Sequence, residues 1–353
     1  QAVLKEVFAC YQSRTRLGSD GEFEDEDFRE FRNVHGADRL RRFALFEALS
    51  EKFAGIAWQE WPEPFRNPDS FEVAEFAQAN HQRVAFSEYL QWQADRQLGE
   101  AHRRAAELGL AVGLYRDLAV GVDPVGADAW SEQDLVVTEM HVGAPPDPFN
   151  MLGQDWGLPP LNPVTLTEKA YEPFIAILRA NMRHAGALRI DHVMALMHLY
   201  WIPADAAAKD GVYVIYPFED LLGILALESQ RNRCMIIGED RGTVPEGFRE
   251  RMAQANVLSY RVLYFEKDGN RFKRPDEYPD LALACVTTHD LATLAGFWKG
   301  SDIELRRDLK LYPPLAAEQS EWQARTHDRQ TLLSALMAED LLPQGTPDAA
   351  ATF

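Results

Sequence analysis

Cysteine is scarce in this sequence of 353 residues, which contains only Cys10, Cys234 and Cys285. An odd number of cysteines at unrelated spacings excludes a disulfide framework and gives no spacing typical of a metal knuckle. Cys234 and Cys285 lie inside apolar, strand-like runs, and we interpret them as small buried hydrophobic residues. The sequence therefore predicts a reducing compartment, and we expect no metal and no cofactor.

Long apolar runs and an excess of positive charge are also missing. No apolar run of about 18 residues could span a membrane and no signal peptide opens the chain, so the cytoplasm is the expected location. The 36 basic and 55 acidic residues give a net charge of −19, which argues against nucleic acid or an anionic membrane as the main partner. A neutral ligand fits better, and a hydrophobic content of 46% allows one large α/β unit with insertions.

Carboxylates follow three short apolar runs, and these acids are Asp191, Glu239 and Asp290. Parallel strands deliver functional groups at their carboxyl ends, so acids in this position predict a shared site at the rim of a barrel. The gaps of 48 residues (191 to 239) and 51 residues (239 to 290) hold helix-forming sequence, as strand–helix–strand repeats require. Asp117 ends a fourth strand candidate, at residues 110–118.

Two regions of different texture divide the chain. Residues 1–109 are predicted to be a mainly helical insertion subdomain, and residues 110–353 a partial (β/α) catalytic barrel. Within the barrel, residues 143–163 are dense in Gly, Pro, Asn and Asp and hold Phe149, Gln154 and Trp156. We interpret them as a long substrate-binding loop. Five strands are expected, in the regions of Leu114, Asp191, Glu239, Leu263 and Asp290.

The acid pair Asp191 and Glu239 suits the cleavage of a glycosidic bond with retention, which needs a nucleophile and a proton donor about 5 Å apart. Residues two apart on a strand share a face, so Arg189 is predicted to hold Asp191 ionised. Glu239 must begin protonated, which its apolar run and the charge of Asp191 favour. Asp290, preceded by His289, is predicted to stabilise an oxocarbenium-like transition state.

Each acid also has a structural interpretation. Arg189 with Asp191 could form an ion pair, Glu239 with Asp240 a solvated turn, and His289 with Asp290 the N-cap of a helix. A metal site formed by Asp191, His192 and His198 is the weaker alternative, because no helical ligand spacing supports it.

At these residues the chain resembles the 4-α-glucanotransferases, or amylomaltases, of glycoside hydrolase family 77. The segments that carry the resemblance are GLYRDLAVG (113–121), GAPPD (143–147), GQDWGLPP (153–160), RIDH (189–192), GEDRGTVP (238–245) and THDL (288–291). One departure is Arg241, which stands where many members carry Leu.

The resemblance implies a (β/α)8 TIM-barrel glycosidase fold with helical insertions and a role for each acid. Asp191 would be the nucleophile, Glu239 the acid/base and Asp290 the stabiliser, acting on α-1,4-glucan with a glucose or glucan acceptor. The residues implied to bind substrate or orient the acids are Asp117, Gln154, Trp156, Arg189, His192, Asp240 and His289. An α-amylase-type hydrolase and a non-catalytic glucan-binding fragment are the alternatives.

The resemblance also implies a fragment, because the chain starts at Gln1 within the helical insertion and contains only strands three to seven of the eight in the barrel. An open parallel sheet exposes edges and an apolar face. We therefore expect the isolated chain to associate aberrantly and to be inactive.

Overall fold

A computed structural model describes residues 2–15, 25–34, 37–147, 152–312 and 315–343. The chain forms two compact units, Gln1–Ile236 and Ile237–Phe353. This division by compactness does not test the expected boundary at residue 109, which stays a prediction. The described part of residues 1–109 contains helices and no strand. Among the described residues, no helix combines the length and apolar character needed to cross a membrane.

The described residues of the first unit form ten α-helices, and the packing of three of them forms an aromatic core. Phe8, Phe28 and Trp92 are buried together there, with the rings of Phe28 and Trp92 5.1 Å apart. The helices are α1 (Ala2–Arg14), α2 (Glu26–Val34), α3 (Ala37–Lys52), α4 (Glu63–Arg66), α5 (Phe71–Ala79), α6 (His81–Glu107), α7 (Ala127–Ser131), α8 (Pro163–Glu168), α9 (Glu172–Met182) and α10 (Phe218–Asn232).

The strands of the first unit run both parallel and antiparallel. In chain order they are β1 (Tyr115–Leu118), β2 (Met140–Ala144), β3 (Gln154–Leu158), β4 (Ala187–Ile190), β5 (His198–Pro203), β6 (Val212–Ile215) and the start of β7 (Met235–Gly238). Strands β1 and β4 pair in parallel. Strands β2, β3, β5 and β6 form a separate antiparallel sheet in the order β3-β2-β5-β6.

The interpretation of residues 143–163 as one long loop is wrong in part, because β3 and the end of β2 lie within it. Glycine here permits a close approach of two backbones: a Cβ on Gly143 would stand 2.0 Å from the Gln154 carbonyl oxygen. The glycines that suggested a loop are therefore a condition for strand pairing. Residues 148–151, including Phe149, lie outside the described residues.

In the second unit, parallel pairing continues through three strands. Ile237 and Gly238 of β7 pair with Leu258 and Ser259, and the strand that contains Ser259 pairs with the strand that follows at Ala282. The elements are α11 (Phe248–Gln254), β8 (Leu258–Val262), β9 (Lys267–Asp268), β10 (Arg271–Phe272), β11 (Ala282–Cys285), α12 (Leu294–Lys299), α13 (Ser301–Asp308) and α14 (Leu315–Ala338).

The five predicted strands are confirmed as β1, β4, β7, β8 and β11, with two boundaries corrected. Strand β1 begins at Tyr115 rather than near Leu110, and β8 ends at Val262, where a 3-10 turn at Leu263–Phe265 follows. Apolar sequence extends past both ends of the ladders, so hydrophobicity alone overestimates strand length.

Among the described glycines of the first unit, Gly186 leaves the least room for a Cβ, and replacing it tests the close packing there. Its N–H donates to the Leu114 carbonyl at 2.9 Å and its carbonyl accepts from Met235 N–H at 2.9 Å. A Cβ would stand 1.6 Å from the Val112 carbonyl oxygen. We expect Gly186→Ala to lower the free energy of unfolding by about 3 kcal/mol or more, because main chain must move. Urea unfolding measures the change.

Gly223→Ala is the matched control, because the same methyl group meets no atom within 4 Å on the exposed face of α10. Alanine is favoured over glycine in a helix by about 0.5–1 kcal/mol, so this variant should be as stable as the wild type or more stable. Equal effects of the two substitutions would contradict the steric explanation.

Candidate active site

A guanidinium clamp joins the ends of β1 and β4. The Arg189 Nη1 donates to both carboxylate oxygens of Asp117, at 2.7 and 2.9 Å, and Nη2 lies 2.7 Å from Asp191 Oδ1. Asp117 stands opposite Arg189 in the parallel register, and the Asp191 N–H continues the ladder by donating to the Leu118 carbonyl at 3.0 Å. The predicted neighbourhood of Arg189 and Asp191 is confirmed, with Asp117 as a third member.

Burial differs between the cation and the acids of this clamp. The Arg189 side chain is 7% exposed, whereas those of Asp117 and Asp191 are 43% and 35% exposed. The planar guanidinium fixes the orientation of both carboxylates through directed, charge-assisted hydrogen bonds. The Asp191 carboxylate is therefore fixed in orientation and accessible to solvent, as a nucleophile requires.

His192, the next residue, is held in a left-handed conformation with φ 45° and ψ 57°. Desolvation by the surrounding protein, with a smaller effect from His198, lowers the pKa of His192 to about 4. The ring is therefore neutral near pH 7, and no second positive charge arises there beside Asp191. The ring forms a T-shaped contact with Trp156, with centroids 5.2 Å apart and planes at 78°.

Gln154 and Trp156 lie two apart on β3, and their side chains are in contact. The Trp156 Nε1 donates to Gln154 Oε1 at 3.2 Å. The indole thus donates a hydrogen bond to Gln154 and packs against the His192 ring. Three of the predicted substrate-binding side chains, on two elements, come together within the first unit.

Glu239 and Asp240 follow β7 in the second unit and differ in their surroundings. Glu239 is partly exposed, and its Oε1 accepts from the Arg241 N–H at 3.1 Å. Asp240 is 4% exposed; its Oδ2 accepts from Arg249 Nε at 2.6 Å and its Oδ1 from the Tyr260 N–H at 3.2 Å. Asp240 therefore ties the end of β7 to β8, and its contact with substrate stays a prediction.

His289 and Asp290 lie in the turn after β11 with side chains 67% and 68% exposed, and His289 Nε2 is 3.4 Å from Asp290 Oδ1. The N-cap alternative for Asp290 is wrong, because the next helix, α12, begins at Leu294 and is capped by Thr293. Asp191 belongs to the first unit and Glu239 and Asp290 to the second, so the meeting of the three acids stays a prediction.

Two contacts were missed by the sequence reasoning. His141 Nδ1 lies 3.0 Å from Asp155 Oδ2, a contact between β2 and β3, and β3 lies in the segment that was interpreted as a loop. The Arg241 guanidinium carbon stands 4.0 Å from the centre of the Phe265 ring. Alternation of residues along β2 and β3 was the available signal for the first contact; sequence offers none for the second.

The size of the cavity beside Asp191 does not identify the class of ligand that it binds. Asp191 lines a cavity of about 1840 Å³ within the first unit, larger than typical small-molecule pockets of about 300–1,000 Å³, so volume does not select a ligand. In the part of the chain that the structure describes, no group of three or more His, Cys, Asp or Glu side chains is arranged to hold a metal ion.

The fold is that of a TIM-barrel-like glycosidase. The chain matches the crystal structure of amylomaltase from Corynebacterium glutamicum with a TM-score of 0.84 and 32% identity, over 100% of this chain and 47% of that one. It also matches amylomaltase from Streptococcus agalactiae in complex with acarbose, with a TM-score of 0.73 and 19% identity, over 90% of this chain and 65% of that one.

The family follows from sequence. The family model described as 4-alpha-glucanotransferase, glycoside hydrolase family 77, matches residues 1–351, and the chain belongs to that family. A 4-alpha-glucanotransferase from Haemophilus influenzae is 40% identical over 288 residues, which is 82% of this chain and 41% of the relative. The chain thus spans less than half the length of this relative.

A pH-dependent stability term is expected from His192. Its folded pKa of about 4 lies below the ordinary 6.5, so the unfolded state takes up a proton first as pH falls. The free energy of unfolding should therefore fall between pH 6.5 and 4, and His192→Gln should remove about 2.5 kcal/mol of the loss between about pH 7.5 and 4.5. Urea unfolding at the two pH values measures this.

The surface variant His81→Gln, at the start of α6, is the control and should leave the pH dependence as in the wild type. If His192→Gln unfolds outright, NMR titration of the wild-type imidazoles gives the same information. A His192 ring that titrates at its ordinary pKa would contradict the desolvation argument.

Proposed function

We propose that this chain carries the catalytic residues of a 4-α-glucanotransferase, which transfers segments of α-1,4-glucan between maltooligosaccharides by retaining double displacement. The observation that carries the proposal is the clamp of Asp191 by a buried Arg189 at the end of a parallel strand, in a chain of this family. An oriented, accessible carboxylate is the group that such a reaction needs first.

The first half of the reaction makes a covalent intermediate. An Asp191 oxygen attacks the anomeric carbon of the donor glucan while Glu239 gives its proton to the departing glycosidic oxygen. The released chain carries the new hydroxyl, and the retained segment is esterified to Asp191 with inverted configuration. Arg189 and Asp117 keep the attacking carboxylate in line throughout.

The second half returns the segment to a glucan. Glu239, now ionised, removes the proton from the 4-hydroxyl of an acceptor, and that oxygen attacks the anomeric carbon and displaces Asp191. The second inversion restores the α configuration. Asp290 stabilises positive charge on the sugar ring in both transition states, and His289 beside it binds a sugar hydroxyl.

Transfer rather than hydrolysis requires that an acceptor sugar is positioned and that water is limited at the intermediate. Trp156 and Gln154 are our candidates for this task, because a flat indole face suits the stacking of a sugar ring and its position is supported by His192. Substrate contacts of His192 and Asp240 belong to the same proposal.

The proposed substrates are maltodextrins and the outer chains of glycogen, with glucose or a second glucan as acceptor. The net charge of −19 suits neutral glucans better than polyanions. Cys10, Cys234 and Cys285 are free thiols, which agrees with the cytoplasm as the proposed compartment.

Products from maltotriose distinguish the candidate functions. A transferase makes glucans longer than maltotriose together with glucose and maltose, whereas an α-amylase-type hydrolase gives glucose and maltose alone. Binding of acarbose without any turnover would favour a glucan-binding module. Chromatography after incubation of the purified full-length protein that contains this chain separates these outcomes, and an absence of longer glucans from that protein, when it binds acarbose, would overturn the proposal.

The roles of the two main acids predict opposite responses to a donor whose leaving group needs no proton. With α-maltosyl fluoride, Glu239→Gln should still form the covalent intermediate, detected by mass spectrometry, while Asp191→Asn should not. With maltotriose, both variants should lose roughly 10²-fold or more in rate. Asp205→Asn, on the surface, is the control and should behave as the wild type. An adduct on Asp191→Asn would contradict the assignment.

Trp156→Ala should raise hydrolysis relative to transfer, because a sugar acceptor loses its stacking surface while water does not. The measured quantity is the ratio of longer glucans to newly formed reducing ends from maltotriose. An unchanged ratio would count against the proposed role of Trp156.

A further inference from the structure

Trp156 sits in an irregularity of β3 that the strand pairing defines. Gly143 on β2 pairs with Asp155, and the neighbouring Val142 pairs with Leu158. One step along β2 thus corresponds to three along β3, which leaves Trp156 and Gly157 as extra residues of a bulge. Bulges re-aim side chains and are common beside active sites. The direction of the Trp156 indole therefore depends on the contacts that stabilise this bulge.

Asp155 stabilises the bulge through a hydrogen bond to the backbone of Gly157. Its Oδ1 accepts from the Gly157 N–H at 2.8 Å, across the residue that carries the indole. Gly157 has φ +66°, a conformation that glycine adopts readily and other residues disfavour. The carboxylate stabilises this conformation in the manner of an Asx turn.

His141 holds Asp155 from the adjacent strand. Its Nδ1 lies 3.1 and 3.0 Å from the two carboxylate oxygens of Asp155. A carboxylate only accepts, so this nitrogen carries the proton and donates. His141 also pairs with Ile202 in the ladder between β2 and β5, which anchors the contact in the middle of the antiparallel sheet. The hydrogen bonds from His141 and Gly157 outweigh partial burial and lower the pKa of Asp155.

We propose that Asp155 and His141 are positioning residues for Trp156, and that by fixing the bulge they set the partition of the glycosyl intermediate between a sugar acceptor and water. This inference rests on the proposed function. Asp155 and His141 act through the backbone at Gly157. Loss of either should leave Asp191, Arg189 and their clamp unchanged.

The test uses Asp155→Ala and His141→Ala, alone and combined with Trp156→Ala. We expect each single variant to increase the ratio of hydrolysis to transfer from maltotriose roughly ten-fold, because a misplaced acceptor loses reactivity steeply. The rate of donor cleavage should change less than about three-fold, since the groups that perform it are untouched. In the Trp156→Ala background, Asp155→Ala should change the ratio less than about two-fold, as a shared pathway requires.

His184→Ala is the matched control. It removes another His–Asp contact of the first unit, His184 Nε2 to Asp95 Oδ1 at 3.1 Å, which joins the segment after α9 to α6 rather than β2 to β3, and should leave the ratio as in the wild type. Asp155→Asn keeps an acceptor for the Gly157 N–H and should restore part of the wild-type ratio. For a variant of low activity, acarbose affinity measured by calorimetry replaces the ratio, and the variants should rank in the same order.

Several results would overturn the inference: a ratio unchanged in both single variants, or an effect of Asp155→Ala that persists in full without Trp156. An equal effect of His184→Ala would do the same by showing general destabilisation. If the full-length wild-type protein that contains this chain makes no longer glucans, the proposed function itself fails, and that result is separate from any comparison among variants.

Discussion

The buried cation Arg189 is the constraint on which the described site depends. Taking a guanidinium out of water is costly, and the cost is offset only when carboxylates face it with good geometry. Asp117 and Asp191 do so from the ends of two neighbouring strands. The parallel register supplies one acid opposite Arg189, and the two-residue period of a strand supplies the other.

Around that clamp, different interactions set the charge of His192 and the orientation of Trp156. His192 stays neutral because the protein around it disfavours its charged form, so Arg189 is not joined there by a second cation. Trp156 is oriented by side chains and by a bulge rather than by burial in a core. Two glycines permit close approaches of the backbone in this unit. Gly186 does so beside β4, and Gly143 does so beside β3.

Much of the arrangement of the acids was predictable, since an apolar run that ends in an acid is a local pattern. Asp191 and Glu239 directly follow β4 and β7, and Asp117 lies on β1. The antiparallel sheet was not predicted, because β3 and the end of β2 lie in a segment that was interpreted as a loop, and β2 pairs with β5, which lies far from it in sequence. The capping of α12 by Thr293 rather than Asp290 was missed for a similar reason: several residues before a helix can cap it, and backbone conformation decides among them.

The amino-acid sequence by itself determined which acids end which strands, the family to which the chain belongs and the proximity of Arg189 to Asp191, since these depend on residues close together in the chain. Only the tertiary structure decided that Asp117 shares the same guanidinium, that His192 remains uncharged and that His141 donates to Asp155. Strand register and desolvation set these three properties, and both arise from packing between segments that local sequence patterns do not relate to one another.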